Sequence, residues 1–320
     1  MRFARSIALS LLAILTLSSF TRASGFDPRQ VPAGTQWVLH IDADAVAKST
    51  LWEIAEPMLS EKADYVTKVE EIERIMGMKF PKDLHSVTLY GNAFDEKNAV
   101  AVLHADVDRP RVKTLLSVNP AYAASAHGQH EVLTWEDKGK TLFGAFHGTD
   151  GIIVSQSKSA VENALDLLDG KSKALSTEST LTGGKDATAG VLLYIAAEAL
   201  ANMQGAAKSP VVKQIENAWI SLGEQDKDIV FRSNVVTVTP DTATQFKDLL
   251  QGFKAGAQLR AEDTTVAAHE RAIAAALSRA TVKADGKVMS IEWPISTEKV
   301  REIFRLRAAP ATTTQAETNP

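Results

Sequence analysis

The sequence predicts an α+β protein made of two related units, each a mostly antiparallel sheet with helices packed on one face. Three observations predict it. Short apolar runs alternate with polar positions and are joined by brief polar turns, as hairpin-paired strands require. Between them lie stretches with apolar residues at three- and four-residue spacing, the pattern of amphipathic helices. The phrase VLHIDADAV at 38–46 then returns as LLYIAAEAL at 192–200, and a similar element order follows each copy.

Taken in order, the alternation at 37–45 predicts a strand. Trp37, Leu39, Ile41 and Ala43 are expected on one side of it, and Val38, His40, Asp42 and Asp44 on the other. A helix is expected over 49–76, kinked or split at Pro57 and stopped by Gly77. Strands follow at 86–94 and 99–107. A helix at 109–118 opens with Asp108 as N-cap and Pro110 in its first turn. Strands at 131–136, 140–147 and 151–155 form a meander turning at Asp137-Lys138-Gly139 and Gly148-Thr149-Asp150. A helix carrying Val161, Ala164, Leu165 and Leu168 closes the unit at Gly170.

Residues 171–190, rich in Ser, Thr, Gly and Lys, read as a linker. The second unit repeats the order: a strand at 192–200, a helix at 201–216, and strands at 218–223 and 228–238. Next come a helix containing Phe246, Leu249 and Leu250, an Ala-rich helix at 264–278, a hairpin at 281–295 and a helix at 297–306. Ile41 aligns with Ile195, and Asp44 with Glu198, at an offset of 154 residues; Lys113 aligns with Lys247 at 134. The domain reading is 1–23 signal peptide, 24–170 first unit, 171–190 linker, 191–307 second unit and 308–320 disordered tail, the last on composition.

The signal-peptide reading rests on Arg2 and Arg5, an apolar run over 7–20 and the small-residue site Thr21-Arg22-Ala23. That run is shorter than the roughly 20 residues that span a bilayer, so cleavage near Ala23 and a secreted or periplasmic product are expected. Cleavage removes three arginines and no acid, leaving 32 basic against 39 acidic residues. Such a balance excludes the basic footprint of a nucleic-acid binder, and no membrane span is expected after cleavage. With 45% hydrophobic residues and no cysteine among 320, the chain is neither disordered throughout nor a disulfide scaffold. Its stability must come from a core.

Catalytic patterns fail one after another. No GxSxG elbow or GxGxxG loop occurs. Ser155-Gln156-Ser157-Lys158 spells SxxK at the end of a strand, without its companion motifs. Gly139-Lys140-Thr141 and Gly170-Lys171-Ser172 lack the leading glycine of a phosphate loop. Two polar groups stand out as metal candidates. His40, Asp42 and Asp44 sit at alternate positions of one strand, where a solvated sheet face gives the same pattern. His127, His130 and Glu131 gather two imidazoles and a carboxylate in a loop entering a strand, with His104 and His147 as the nearest further imidazoles in that unit.

Pro32, Gly34, Thr35, Trp37, Val38, Leu39, Ile41 and Asp42 form a phrase that resembles the opening of a group of uncharacterised secreted bacterial proteins. The resemblance implies export and a duplicated α+β build, and it supplies no catalytic residues. The functional expectation is therefore a non-enzymatic envelope or secreted protein without a cofactor. It would bind a protein partner or small ligand through a sheet face or the groove between its units. The alternatives are a carrier or chaperone for lipidic or unfolded cargo, and a metal-assisted hydrolase.

Overall fold

The computed structural model describes residues 25–183, 190–203 and 209–308. The signal-peptide reading, residues 184–189 of the expected linker and residues 309–320 of the expected tail lie outside them.

The fold is α+β, and its strands form one twelve-stranded antiparallel sheet. The first half contributes β1 (Trp37–Asp42), β2 (Leu84–Gly91), β3 (Val100–Ala105), β4 (Ala123–His127), β5 (His130–Asp137), β6 (Lys140–His147) and β7 (Gly151–Ser155). The second contributes β8 (Val191–Ala197), β9 (Ile215–Gln225), β10 (Asp228–Thr237), β11 (Thr281–Asp285) and β12 (Val288–Ser296). Across the sheet the order is β11-β12-β10-β9-β8-β1-β2-β3-β7-β6-β5-β4. The halves meet where β1 pairs with β8, with His40 opposite Tyr194. These two strands hydrogen-bond directly, so the two halves share one sheet.

Among the described residues eight α-helices accompany the strands: α1 (Ala43–Lys48), α2 (Thr50–Ser60), α3 (Ala63–Met76), α4 (Arg109–Ser117), α5 (Lys158–Leu168), α6 (Pro240–Glu262), α7 (Ala268–Leu277) and α8 (Thr297–Ala308). Side chains alternate across a strand, so neighbouring residues report which face a helix covers. On β5, Glu131 pairs with Lys113 of α4, whereas His130 meets Asp169 at the end of α5. Those helices therefore cover opposite faces. The Phe231, Ile291 and Trp293 side, under α6, continues along the cross-strand rows to the α4 side. The long helices thus share one face, and among the described α-helices only α5 lies on the other.

The main core is on the α5 side. Val161 and Leu165 of α5 pack on Val38, Val102, Val132, Ile153 and Tyr194 of the sheet, and Phe26, Val31, Leu175 and Leu181 complete the roof. Part of the expected linker thus belongs to the core. Leu181 is fully buried, and residues 31–33 exchange backbone hydrogen bonds with 173–175.

Several expectations change. The buried side of β1 is Val38, His40 and Asp42, with Trp37, Leu39 and Ile41 only half-buried on the helical side. The α5 roof is more complete than the helical cover, so the polar positions are enclosed. β1 also ends at Asp42, whose side chain caps α1 by accepting from Ala45 N at 2.8 Å. The expected 49–76 helix breaks at Glu61 and Lys62, between α2 and α3, while Pro57 sits inside α2. No α-helix occupies 201–216 among the described residues; short 3-10 turns lead into β9, which starts at Ile215. β4 was not foreseen, because its Ala-Ala-Ser-Ala run lacks apolar alternation. No helix among the described residues is long and apolar enough to cross a membrane.

Candidate functional site

Three histidines stand in one row at the rim of the sheet. His127 ends β4 and His130 begins β5 as its cross-strand partner, the turn between them passing through Gly128 at φ +58°. His147 ends β6, two residues beyond the Val132–Ala145 pair, so it extends the row by one strand. Cross-strand partners face the same side, and all three rings point towards the last turn of α5.

Helix α5 begins at the Ser157 cap and buries Val161, Ala164, Leu165 and Leu167 against the sheet. That register leaves Asp166 and the C-cap Asp169 over the histidine row. Gly170 adopts φ +74°, and the chain reverses so that Lys171 N donates to the Asp166 carbonyl at 2.8 Å. His127 Nε2 lies 3.1 Å from Asp166 Oδ1, and His130 Nε2 lies 3.0 and 3.1 Å from the two Asp169 oxygens. His147 Nε2 is 3.2 Å from Asp169 Oδ1. Lys171 Nζ donates to Asp169 Oδ2 at 2.8 Å and to Asp166 Oδ1 at 3.5 Å. The His130 and His147 rings are 5.4 Å apart.

Both carboxylates sit at the negative end of the α5 dipole, an unfavourable place for an anion. The neighbouring cations and N–H donors outweigh that. Hydrogen bonding from Lys171, and then from His130, holds the Asp169 carboxyl far below the usual carboxylate range. His127 chiefly lowers Asp166, and Asp169 chiefly raises the Lys171 ammonium. Asp169 is the most enclosed of the group, and His147 is about a quarter exposed.

Glu131, the third member of the sequence-based set, faces the other side of β5 and pairs with Lys113. His104 lies apart from the row, between Asp150 and Gln30. The His40, Asp42 and Asp44 set is not convergent either. His40 Nδ1 is 2.9 Å from Thr88 Oγ1 beneath the Phe26 ring, Asp42 caps α1, and Asp44 lies on α1 3.1 Å from His85 Nδ1. The strand ends three residues early, at Asp42, and this removes Asp44 from the face. Asp166 and Asp169 were missed from sequence. Their signal was two acids near a helix C-terminus, where basic residues are the rule.

Beside the row, Asp166 and Lys171 also form one wall of an open cleft of about 620 Å³. Its lining includes Asn92, Asn98, Asn163, Ser159, Lys173 and Tyr90. Tyr90 is 3% exposed, and its hydroxyl has no hydrogen-bond partner among the described residues. Burial raises the pKa of this phenol, so it stays a neutral donor and acceptor.

No family model matches the chain, and no curated protein matches it. Among solved structures it is similar to three crystal forms of TP0453. Form III has a TM-score of 0.47 at 10% identity, over 87% of this chain and 97% of that one. Form IV has a TM-score of 0.47 at 10% identity over 89% and 99%, and form I has 0.42 at 11% over 88% and 98%. Likeness at this level carries no functional information.

Proposed function

We propose that this is an exported, non-enzymatic binding protein whose ligand is small, polar and rich in hydroxyl groups, and that it occupies the Tyr90 cleft. The buried, unpartnered Tyr90 hydroxyl is the observation that carries the reading. Such a group costs about 1–3 kcal/mol; it has almost no accessible surface, so a ligand polar atom recovers that cost by displacing a neighbouring side chain to reach it. The surrounding asparagines and serine donate and accept at once, as hydroxyl groups do, and so match them. The cleft lies within the first half rather than between halves.

Thermal-shift screening of free saccharides and polyols against the protein tests this, with Tyr90→Phe and Asn163→Ala as variants. A hit whose shift disappears in both variants is expected. Tyr90→Phe without ligand should be as stable as the wild type, or up to about 1 kcal/mol more stable, because it deletes an unsatisfied group. Destabilisation by Tyr90→Phe, or a full panel without hits, would remove the basis of the reading.

We further propose that the two halves descend from a duplication. Outward from the central pair, β1-β2-β3-β7-β6 is matched by β8-β9-β10-β12-β11. His40 and Tyr194, opposite one another at that pair, are separated by the same 154 residues as the sequence alignment. Export rests on residues 1–23, and an N-terminus at Ser24 in protein recovered outside the cytoplasm is the expected result.

One observation favours the cargo-carrier alternative. Helix α6 exposes Leu249, Phe253 and Leu259, and Phe253 borders an apolar groove of about 170 Å³ against Phe231 and Trp293. An organic extract of the natively exported protein containing stoichiometric lipid would favour that alternative over the polar-ligand reading.

A further inference from the structure

We propose that His130, His147 and Asp169 form a binding site for a divalent transition-metal ion, zinc by the chemistry of its donors. The proposal stands independently of the ligand assigned to the Tyr90 cleft. Two imidazole nitrogens and a carboxylate oxygen are a donor set that zinc accepts readily. One ligand atom from each residue lies within 4.8 Å of the other two. In a tetrahedral zinc centre with ordinary bond lengths, ligand atoms stand about 3.3 Å apart. The 3.0 Å and 3.2 Å separations of Asp169 Oδ1 from the two Nε2 atoms already approach that spacing.

Each donor is held by rigid structure. His130 and His147 are on adjacent hydrogen-bonded strands, and Asp169 caps a helix whose apolar face is locked in the core. Three protein ligands leave a coordination position for solvent or an exogenous group, and the exposed edge of His147 gives access to it. A cation there would also offset the repulsion between Asp169 and the α5 dipole.

The Lys171 ammonium is the competitor. It holds Asp169 Oδ2 at 2.8 Å, with Asp166 Oδ1 in reach at 3.5 Å. A metal on Asp169 displaces that ammonium towards Asp166, whose Oδ1 it already reaches at 3.5 Å beside the His127 contact. His127, already committed to Asp166, stays outside the coordination shell.

The test uses the whole chain, freed of metal by chelator and titrated separately with Zn²⁺ and Co²⁺. Bound metal is measured by equilibrium dialysis, and Co²⁺ geometry by its visible absorption. The expected result is one ion per chain at micromolar affinity or better, with a Co²⁺ band typical of four- or five-coordination. His147→Ala and Asp169→Asn should each weaken binding about 10- to 100-fold, and Lys171→Met should tighten it about tenfold. His104→Ala, on an unrelated imidazole, should leave it unchanged. Absence of stoichiometric binding overturns the proposal, as does an affinity that His147→Ala leaves unmoved. His147 is partly exposed, so its variant remains folded and decides the matter even if Asp169→Asn does not fold. Weaker binding in Lys171→Met would show that the ammonium supports the site rather than competes for it, and would overturn the arrangement described.

Discussion

The two halves of the sheet share an order of strands and differ in what stands at their outer edges. Beyond β6 the first half continues into β5 and β4, whereas the second half stops at β11. Those two extra strands carry His127 and His130. Six of the chain's seven histidines lie in the first half, with His269 alone in the second. The common frame therefore supplies rigidity, and the chemistry has collected where strands were added to it. The closing helices differ in the same sense. α5 is roofed into the main core and ends in two carboxylates, while α8 packs beside α7 and ends in Arg305 and Arg307.

Truncating the closing helices tests that contrast most strongly. Leu165 on α5 is fully buried and Phe304 on α8 is only half-buried. Leu165→Ala should cost about 2–5 kcal/mol in urea unfolding, with a cavity left in the main core. Phe304→Ala removes a larger side chain and should cost less than half as much, since much of that ring is already in water. An equal or reversed ranking would mean that α8, and not α5, anchors the sheet.

Turn exchange is the next probe. The β5–β6 turn places Lys138 and Gly139 at φ +50° and +76°, and the β9–β10 turn places Asp226 and Lys227 at +51° and +72°. Both positions of a two-residue turn with positive φ favour glycine or asparagine, and lysine there is strained. Lys227→Gly should therefore stabilise by about 1 kcal/mol, and Gly139→Lys should destabilise by about as much. Opposite signs in thermal melts are the expected result.

The smallest effect is lost in acid. Glu73, at the end of α3, accepts from Phe80 N at 3.0 Å and from Lys79 Nζ at 3.2 Å, and these contacts lower its pKa. A depressed carboxyl contributes stability that is fully present above its unfolded value near 4.3 and lost as pH falls through the lower folded value. Glu73→Gln should melt below the wild type at pH 7, and the gap should close on acidification. A gap that persists at pH 2 would assign the loss to packing rather than charge.

Much of the architecture was legible because turns and caps are local. The strands at 140–147 and 151–155, the Asp108 cap and the turn at Asp285-Gly286-Lys287 lie where the sequence places them. What failed depends on distant chain. The inward face of β1 is set by Phe26 and Tyr194, which no alternation within 37–45 reveals. Residues 201–216 have helical composition, yet the described parts of that stretch, on either side of 204–208, take 3-10 turns on the way to β9. The site was half visible: its histidines stood close in sequence, while Asp169 joins them only through the packing of α5.

The β1–β8 seam also governs the order of assembly. It unites residues 37–42 with 191–197, so the middle of the sheet stays open until more than half of a chain emerging from its N-terminus is available. Until β8 arrives, β1 keeps an open row of backbone donors and acceptors, a surface that readily recruits a second strand from another molecule. A fragment ending before β8 should pair edge to edge with its own copies. In the intact protein, the last strand to arrive at that edge is what keeps each copy from joining the next.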